Sequence, residues 1–321
     1  VSARKPNEIY LSRVYDAPVR LVWAAWSDPK QAAQWWGPRG FTITTHSKDV
    51  RVGGRWIYTM HGPDGTDYPN ITTYHEVIEN KRLVYDHGAT ENTPPLFRVT
   101  VNFEEKAGRT HMDMTMALET AEAAAKARIF IKNAGGNSTW DRLAEYLDKM
   151  ENGREVFVVN RSFQGSVELL YELWTRPEHV SRWLPPTGFA MEFVKQDMKV
   201  GGRSLFRMFN KEGMTMYGSI LYKEMERPKR LVYVQDFRDA DDRLSRHPML
   251  PVWPESMTAT VSFTAEGPRE TRVTVQWEPA ANASAEEVAA FVAHRPSMTQ
   301  GWTGSFDQLD ELLTQSVPMK P

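Results

Sequence analysis

Three side chains in this sequence are of a type and placement suited to proton transfer: His61, Tyr74 and Glu76. His61 follows Met60 at the end of a strand-like run, where an imidazole of near-neutral pKa could take or give a proton. Tyr74 and Glu76 are two residues apart in another such run, a spacing that places a phenol and a carboxylate on one strand face. Tyr222 and Glu224 repeat the pair later in the chain. Other chemistries find little support. Zero Cys removes disulfides, thiolate nucleophiles and Cys-containing metal sites. The eight His show no His-Glu-x-x-His spacing, so neither a metal nor any other cofactor is expected. No Gly-x-Ser-x-Gly elbow is present, which argues against a hydrolase of that type. Gly53-Gly54-Arg55 lacks the spacing and following helix of a phosphate loop and reads as a bulge or close backbone contact.

The elements that must position these groups come as a duplication. Residues 13–85 align without a gap on residues 161–233, with roughly 23 of 73 positions identical. Trp26 matches Trp174, Trp35 matches Trp183, and Val52-Gly53-Gly54-Arg55 returns as Val200-Gly201-Gly202-Arg203. A repeat of this length is a whole domain, so the 321 residues divide into 1–152 and 153–321. The second copy carries an insertion near 236–256 with no counterpart in the first, placed to form a lid. Within a copy the order reads as strand, two short helices, six strands and a long helix. The strands are near Ile9–Tyr15, Thr42–Ser47, Arg55–Met60, Ile71–Ile78, Arg82–His87, Phe97–Glu104 and Thr110–Leu118. The helical candidate spans 121–150 and is interrupted by Gly135-Gly136. An α+β fold follows, with a curved antiparallel sheet wrapped around a long C-terminal helix in each half.

Composition limits the partners. Hydrophobic residues at 41% and charged residues at 25% exclude disordered and collagen-like chains. A formal charge of -2 supplies no overall field for nucleic acid or an anionic membrane. No run approaches ~18 apolar residues, and VSARKPNEIY lacks a secretory core; with zero Cys, a cytoplasmic location is expected.

Asp28-Pro29 leading to Trp35-Trp36-Gly37-Pro38, the Val52-Gly53-Gly54-Arg55-Trp56 strand start, Tyr74-His75-Glu76-Val77 before Arg82-Leu83-Val84-Tyr85, and the closing Trp140-Asp141-Arg142-Leu143-Ala144-Glu145-Tyr146-Leu147 carry a resemblance. The chain resembles the START/SRPBCC superfamily, in the branch of activator-of-heat-shock-protein-ATPase homologues, over both copies. The resemblance implies a helix-grip fold with a cavity between sheet and C-terminal helix. The second copy departs from the motif, with Leu184-Pro185-Pro186 for Trp36-Gly37-Pro38 and Ser204 for Trp56.

Alternation then names the side chains that would reach such a cavity. In the first copy they are Trp56, Tyr58, Met60, Met112, Met114 and Met116, with Trp140 opposite on the helix; His61 would sit at the mouth. In the second they are Phe206, Met208, Tyr222, Val273, Val275 and Trp277, with Phe306 on the helix. Thioethers are unbranched and polarizable, so a Met-rich wall suits a tolerant site, although the same residues would also serve as ordinary core. Binding of a small hydrophobic or aromatic molecule is the leading expectation. A cyclase or aromatase working in the same cavity is the alternative, and a chaperone partner, suggested by the family name, is the weakest of the three.

Overall fold

In the computed structural model of the chain, residues 5–88, 90, 92–133 and 138–316 are described. The chain divides into two compact units, Val1–Arg154 and Glu155–Pro321. The first unit runs β1 (Glu8–Tyr15), α1 (Val19–Ser27), α2 (Pro29–Trp35), β2 (Thr42–Lys48), β3 (Arg55–His61), β4 (Asp67–Ile78), β5 (Arg82–Gly88), β6 (Phe97–Lys106), β7 (Arg109–Ala117), α3 (Ala121–Asn133) and α4 (Ser138–Asn152). Its strands form one antiparallel sheet in the order β1-β7-β6-β5-β4-β3-β2. The second unit repeats the plan with β8 (Phe157–Phe163), α5 (Val167–Thr175), α6 (Pro177–Trp183), β9 (Phe189–Lys195), β10 (Arg203–Asn210), β11 (Thr215–Glu226), β12 (Arg230–Arg238), β13 (Leu244–Ser245), β14 (Ser256–Gly267), β15 (Glu270–Pro279), α7 (Ala285–Ala293) and α8 (Arg295–Ser316). Its sheet runs β8-β15-β14-β12-β11-β10-β9, with β13 added on β12.

Local chemistry explains the short helices. The Asp28 carboxylate accepts from the backbone N–H groups of Lys30 and Gln31, and Pro29 at the first helical position sacrifices no hydrogen bond. Trp35, fully buried, donates its indole N–H to the Ala25 carbonyl at 3.0 Å; Trp183 does the same to Leu173 at 2.9 Å. These indoles lock each helix pair over its sheet.

The matched glycines act as close backbone contacts. Gly53 has a φ of +77°, and a Cβ on Gly54 would lie 2.2 Å from the Asp49 carbonyl oxygen. Backbone hydrogen bonds tie Gly53 and Gly54 to Tyr74, beside a bulge in β4 between Tyr74 and Glu76. Gly201, Gly202 and Tyr222 reproduce the arrangement.

The long C-terminal helix of the sequence expectation is divided in the second copy into α7 and α8. In the second copy His294 leaves helical geometry at φ -92° and ψ 2°, and Pro296, which has no N–H to donate, suits the first turn of the helix that restarts. In the first copy the expected break at Gly135-Gly136 lies outside the described residues. Among the described residues no helix is long and apolar enough to cross a membrane.

A latch joins β7 to the turn before α1. The buried Thr110 hydroxyl donates to the Ala17 carbonyl at 2.7 Å, and Thr271 donates to Gly165 at 2.8 Å. Thr110→Val keeps the shape and strands that carbonyl, so hydrogen exchange on peptides of the first domain should show a loss of about 1–2 kcal/mol. Unchanged protection would show that the latch is dispensable.

Candidate functional site

Inward-pointing side chains of the first sheet combine apolar walls with a row of polar groups. Trp56, Tyr58 and Met60 come from β3, Asn70, Thr72 and Tyr74 from β4, and Tyr85 and His87 from β5. Pairing sets Tyr58 beside Asn70, Trp56 beside Thr72, Thr72 beside His87, and Tyr74 beside Tyr85. Met112, Met114 and Met116 supply the far wall from β7.

Several of these polar groups are left without partners. The Tyr58 hydroxyl accepts from the Trp36 indole at 3.1 Å, but the hydroxyls of Tyr74 and Tyr85 have no hydrogen-bond partner among the described residues. Their rings meet edge to face at 5.9 Å. Thr72 Oγ1 is also buried without a partner. Burial pushes the pKa of all three phenols up, so they remain protonated donors at neutral pH. His87 stacks on Phe97 at 4.8 Å and 21°, and desolvation pulls its pKa down to about 4. It is therefore neutral at pH 7.

Exposure is graded along the strands. Trp56 and Tyr58 are buried while Met60 is half-buried; Leu83 and Tyr85 are buried while His87 is half-buried. Val99, Val101 and Phe103 are buried and Phe97 half-buried; Met112 and Met114 are buried and Met116 half-buried. These partly exposed positions lie at the C-terminal ends of β3, β5 and β7 and the N-terminal end of β6. In an antiparallel sheet these ends form one edge.

The helical side is aromatic. Trp140 stacks on Trp26 at 5.6 Å and 15°, and Trp36 meets Trp56 at 4.9 Å. Arg142 Nη1 donates to the carbonyls of Gly37, Pro38 and Phe41 at 2.7, 3.0 and 3.1 Å, which fixes the loop after α2 on α4. Arg39 pairs with Glu145 through a 2.9 Å hydrogen bond nearby. Lys48 donates to the Trp26 carbonyl at 2.7 Å and stands 3.5 Å from the Trp56 ring centroid; desolvation pulls its pKa down to about 7.

The family model described as Activator of Hsp90 ATPase homolog 1-like protein matches residues 16–148 and again residues 164–314. The chain belongs to this family. Solved structures of single-domain length resemble about half of the chain. A crystal structure of a Nitrosomonas europaea protein is 21% identical over 47% of this chain and 100% of its own, with a TM-score of 0.43. A solution structure from Arthrobacter aurescens is 27% identical over 48% of this chain and 94% of its own, also with a TM-score of 0.43. The di-domain ARO/CYC BexL from the BE-7585A biosynthetic pathway spans 98% of this chain and 99% of its own at 14% identity and a TM-score of 0.39. No curated protein matches.

In the first activator-homologue copy, Trp56, Tyr58, Met60, Tyr74, Met112, Met114 and Met116 all face inward, as alternation indicates. Glu76 and His61 do not. Glu76 pairs with Arg82 at 3.0 Å on the outer face, because the bulge after Tyr74 shifts the alternation and separates two residues that an unbroken strand would keep together. His61, one residue past inward-facing Met60, bonds Thr44 and Asp67 at 2.8 and 2.6 Å and faces out. Trp140 belongs with the tryptophans of the short helices. In the second copy that stacking partner is Trp302, 5.9 Å from Trp174 at 11°, one turn before the expected Phe306, which packs on Phe163 at 5.3 Å. Phe206, Met208, Tyr222, Val273, Val275 and Trp277 are buried in the second core. Sequence reasoning missed Thr72, Tyr85 and His87. Their parity with Tyr74 and Leu83 was the available signal.

Proposed function

We propose that the chain binds a small hydrophobic or aromatic molecule between sheet and C-terminal helices. The supporting observation is the first domain's inner face, where unpartnered hydroxyls lie among aromatic and thioether walls that become partly exposed toward one edge of the sheet. Apolar contact supplies affinity, and a few polar groups orient the guest. An uncompensated buried hydroxyl costs about 1–3 kcal/mol, which a ligand returning the hydrogen bond would offset. Titration with 1-naphthol, followed by tryptophan fluorescence, should give saturable quenching, since Trp36, Trp56 and Trp140 border the interior. A strictly linear response would count against binding.

A cyclase or aromatase reaction in the same space is the second reading. Tyr74 and Tyr85 favour it, because protonated phenols can hold a carbonyl oxygen as negative charge develops there. Binding ranks above it because the base on this face, His87 with a pKa of about 4, is a weak proton acceptor at neutral pH.

A further inference from the structure

Building on that ligand-binding reading, we propose that the two copies have diverged in role. The first domain alone receives the ligand, an aromatic molecule bearing a carbonyl or hydroxyl group, and the second is closed by its own insertion.

The two sheets can be compared strand by strand at the same edge. Met60, Phe97, Met116 and Ile9, half-buried in the first domain, correspond by register to Met208, Met257, Trp277 and Phe157, all buried in the second. Gln235, in the place of His87, keeps partial exposure, yet Phe237 beyond it is buried.

The insertion accounts for the closure. β13 pairs with the end of β12 at Phe237 and Arg238. His247 covers Phe237 at 4.9 Å. Trp253, itself buried, lies 5.8 Å from Phe291 of α7 and 5.7 Å from His294. Arg246 fastens the segment by pairing with Glu287 of α7 and donating to the Trp253 carbonyl at 3.2 Å. The β5–β6 connection of the first domain is shorter and holds no aromatic residue with which to do the same.

Inside, the polar row has also been altered. Phe206 takes the place of Tyr58, Gly218 that of Asn70 and Ile220 that of Thr72. A Cβ on Gly218 would come within 2.4 Å of Phe206 Cζ, so the ring lies over the position that the Asn70 side chain occupies in the first copy. Tyr222 donates to Ser204 Oγ at 3.4 Å, whereas its counterpart Tyr74 has its hydroxyl free. The first domain thus presents two phenol donors and a threonine hydroxyl amid aromatic walls. A planar apolar body with a hydrogen-bonding oxygen is complementary to that set.

Calorimetric titration of the full chain with 1-naphthol and with naphthalene tests the proposal. One 1-naphthol should bind per chain, and Thr72→Val with Tyr85→Phe should weaken it about tenfold while naphthalene changes by less than about twofold. Met116→Trp, which copies Trp277 of the second domain, should abolish binding of both probes. Trp253→Ala should raise the stoichiometry towards two; should that variant unfold the second domain, Met116→Trp decides the matter alone. Two sites in the wild-type chain, undiminished binding in Met116→Trp, or equal weakening of both probes in the double variant would overturn the division of roles while leaving ligand binding intact. Failure of both probes to bind the wild-type chain would remove the ligand-binding reading, and this inference with it.

Discussion

Asp141→Ala should destabilise the first domain by about 3–5 kcal/mol, whereas Asp307→Ala should cost the second less than about 1 kcal/mol. The two aspartates occupy matched positions and pair with matched arginines, yet their surroundings differ. Arg13 Nη1 lies 3.0 Å from Asp141 Oδ1, with side-chain exposures of 2% and 3%. Removing the carboxylate leaves a guanidinium in the protein interior, 5.8 Å from the Tyr15 ring, without the anion whose field offsets its desolvation. Arg161 instead reaches two acids, Asp307 at 2.7 Å and Asp310 at 3.0 Å, which are 48% and 43% exposed. Water and the remaining acid compensate there. A bulk melt of a two-domain chain mixes both transitions, so hydrogen exchange read separately on peptides from each domain is the suitable measurement. Equal losses in the two variants would mean that burial does not set the strength of these pairs.

The same contrast bears on what could be read in the sequence. Strand positions and inward parity were legible because period-two alternation is a local property: Trp56 and Tyr58, or Val273 and Val275, follow from their neighbours alone. The short helices were legible through Asp28-Pro29 and its capping chemistry. Parity fails where a bulge intervenes, and the bulge after Tyr74 turned Glu76 outward. That bulge depends on the Gly53–Tyr74 backbone contact between strands, and the sequence offered the glycines without saying which residue they would meet. Trp302 was hidden for a related reason. Alignment on the Arg161–Asp307 pair places Phe306 opposite Trp140, but the stacking function has moved one helical turn away. The closure of the second domain is a long-range effect as well. The insertion could be located by comparing the copies, but its contact with α7 joins residues on opposite sides of β14 and β15.

Acid should weaken the first domain, and His87 should be the main cause there. Its folded-state pKa, near 4, lies below the 6.5 of a solvated imidazole because the ring has been desolvated against Phe97. Between those two values the unfolded chain binds a proton that the folded chain refuses, so stability falls as pH drops from 6.5 through 4. Above pH 6.5 both states are neutral at this site and no penalty exists. The gap corresponds to about 3 kcal/mol once the pH is below 4. His87→Gln supplies the control already present in the chain, since Gln235 holds the matched position in the second domain. That variant should lose the acid sensitivity of the first domain while leaving its stability at pH 7.5 close to the parent. The measurement is domain-resolved hydrogen exchange at pH 7.5 and 4.5, with exchange times corrected for intrinsic rates. If His87→Gln loses as much protection at pH 4.5 as the parent does, the imidazole is not the titrating group. The carboxylates would then have to carry the effect, beginning with Asp86, whose pKa is held down by its hydrogen bonds from Arg98 and then His75.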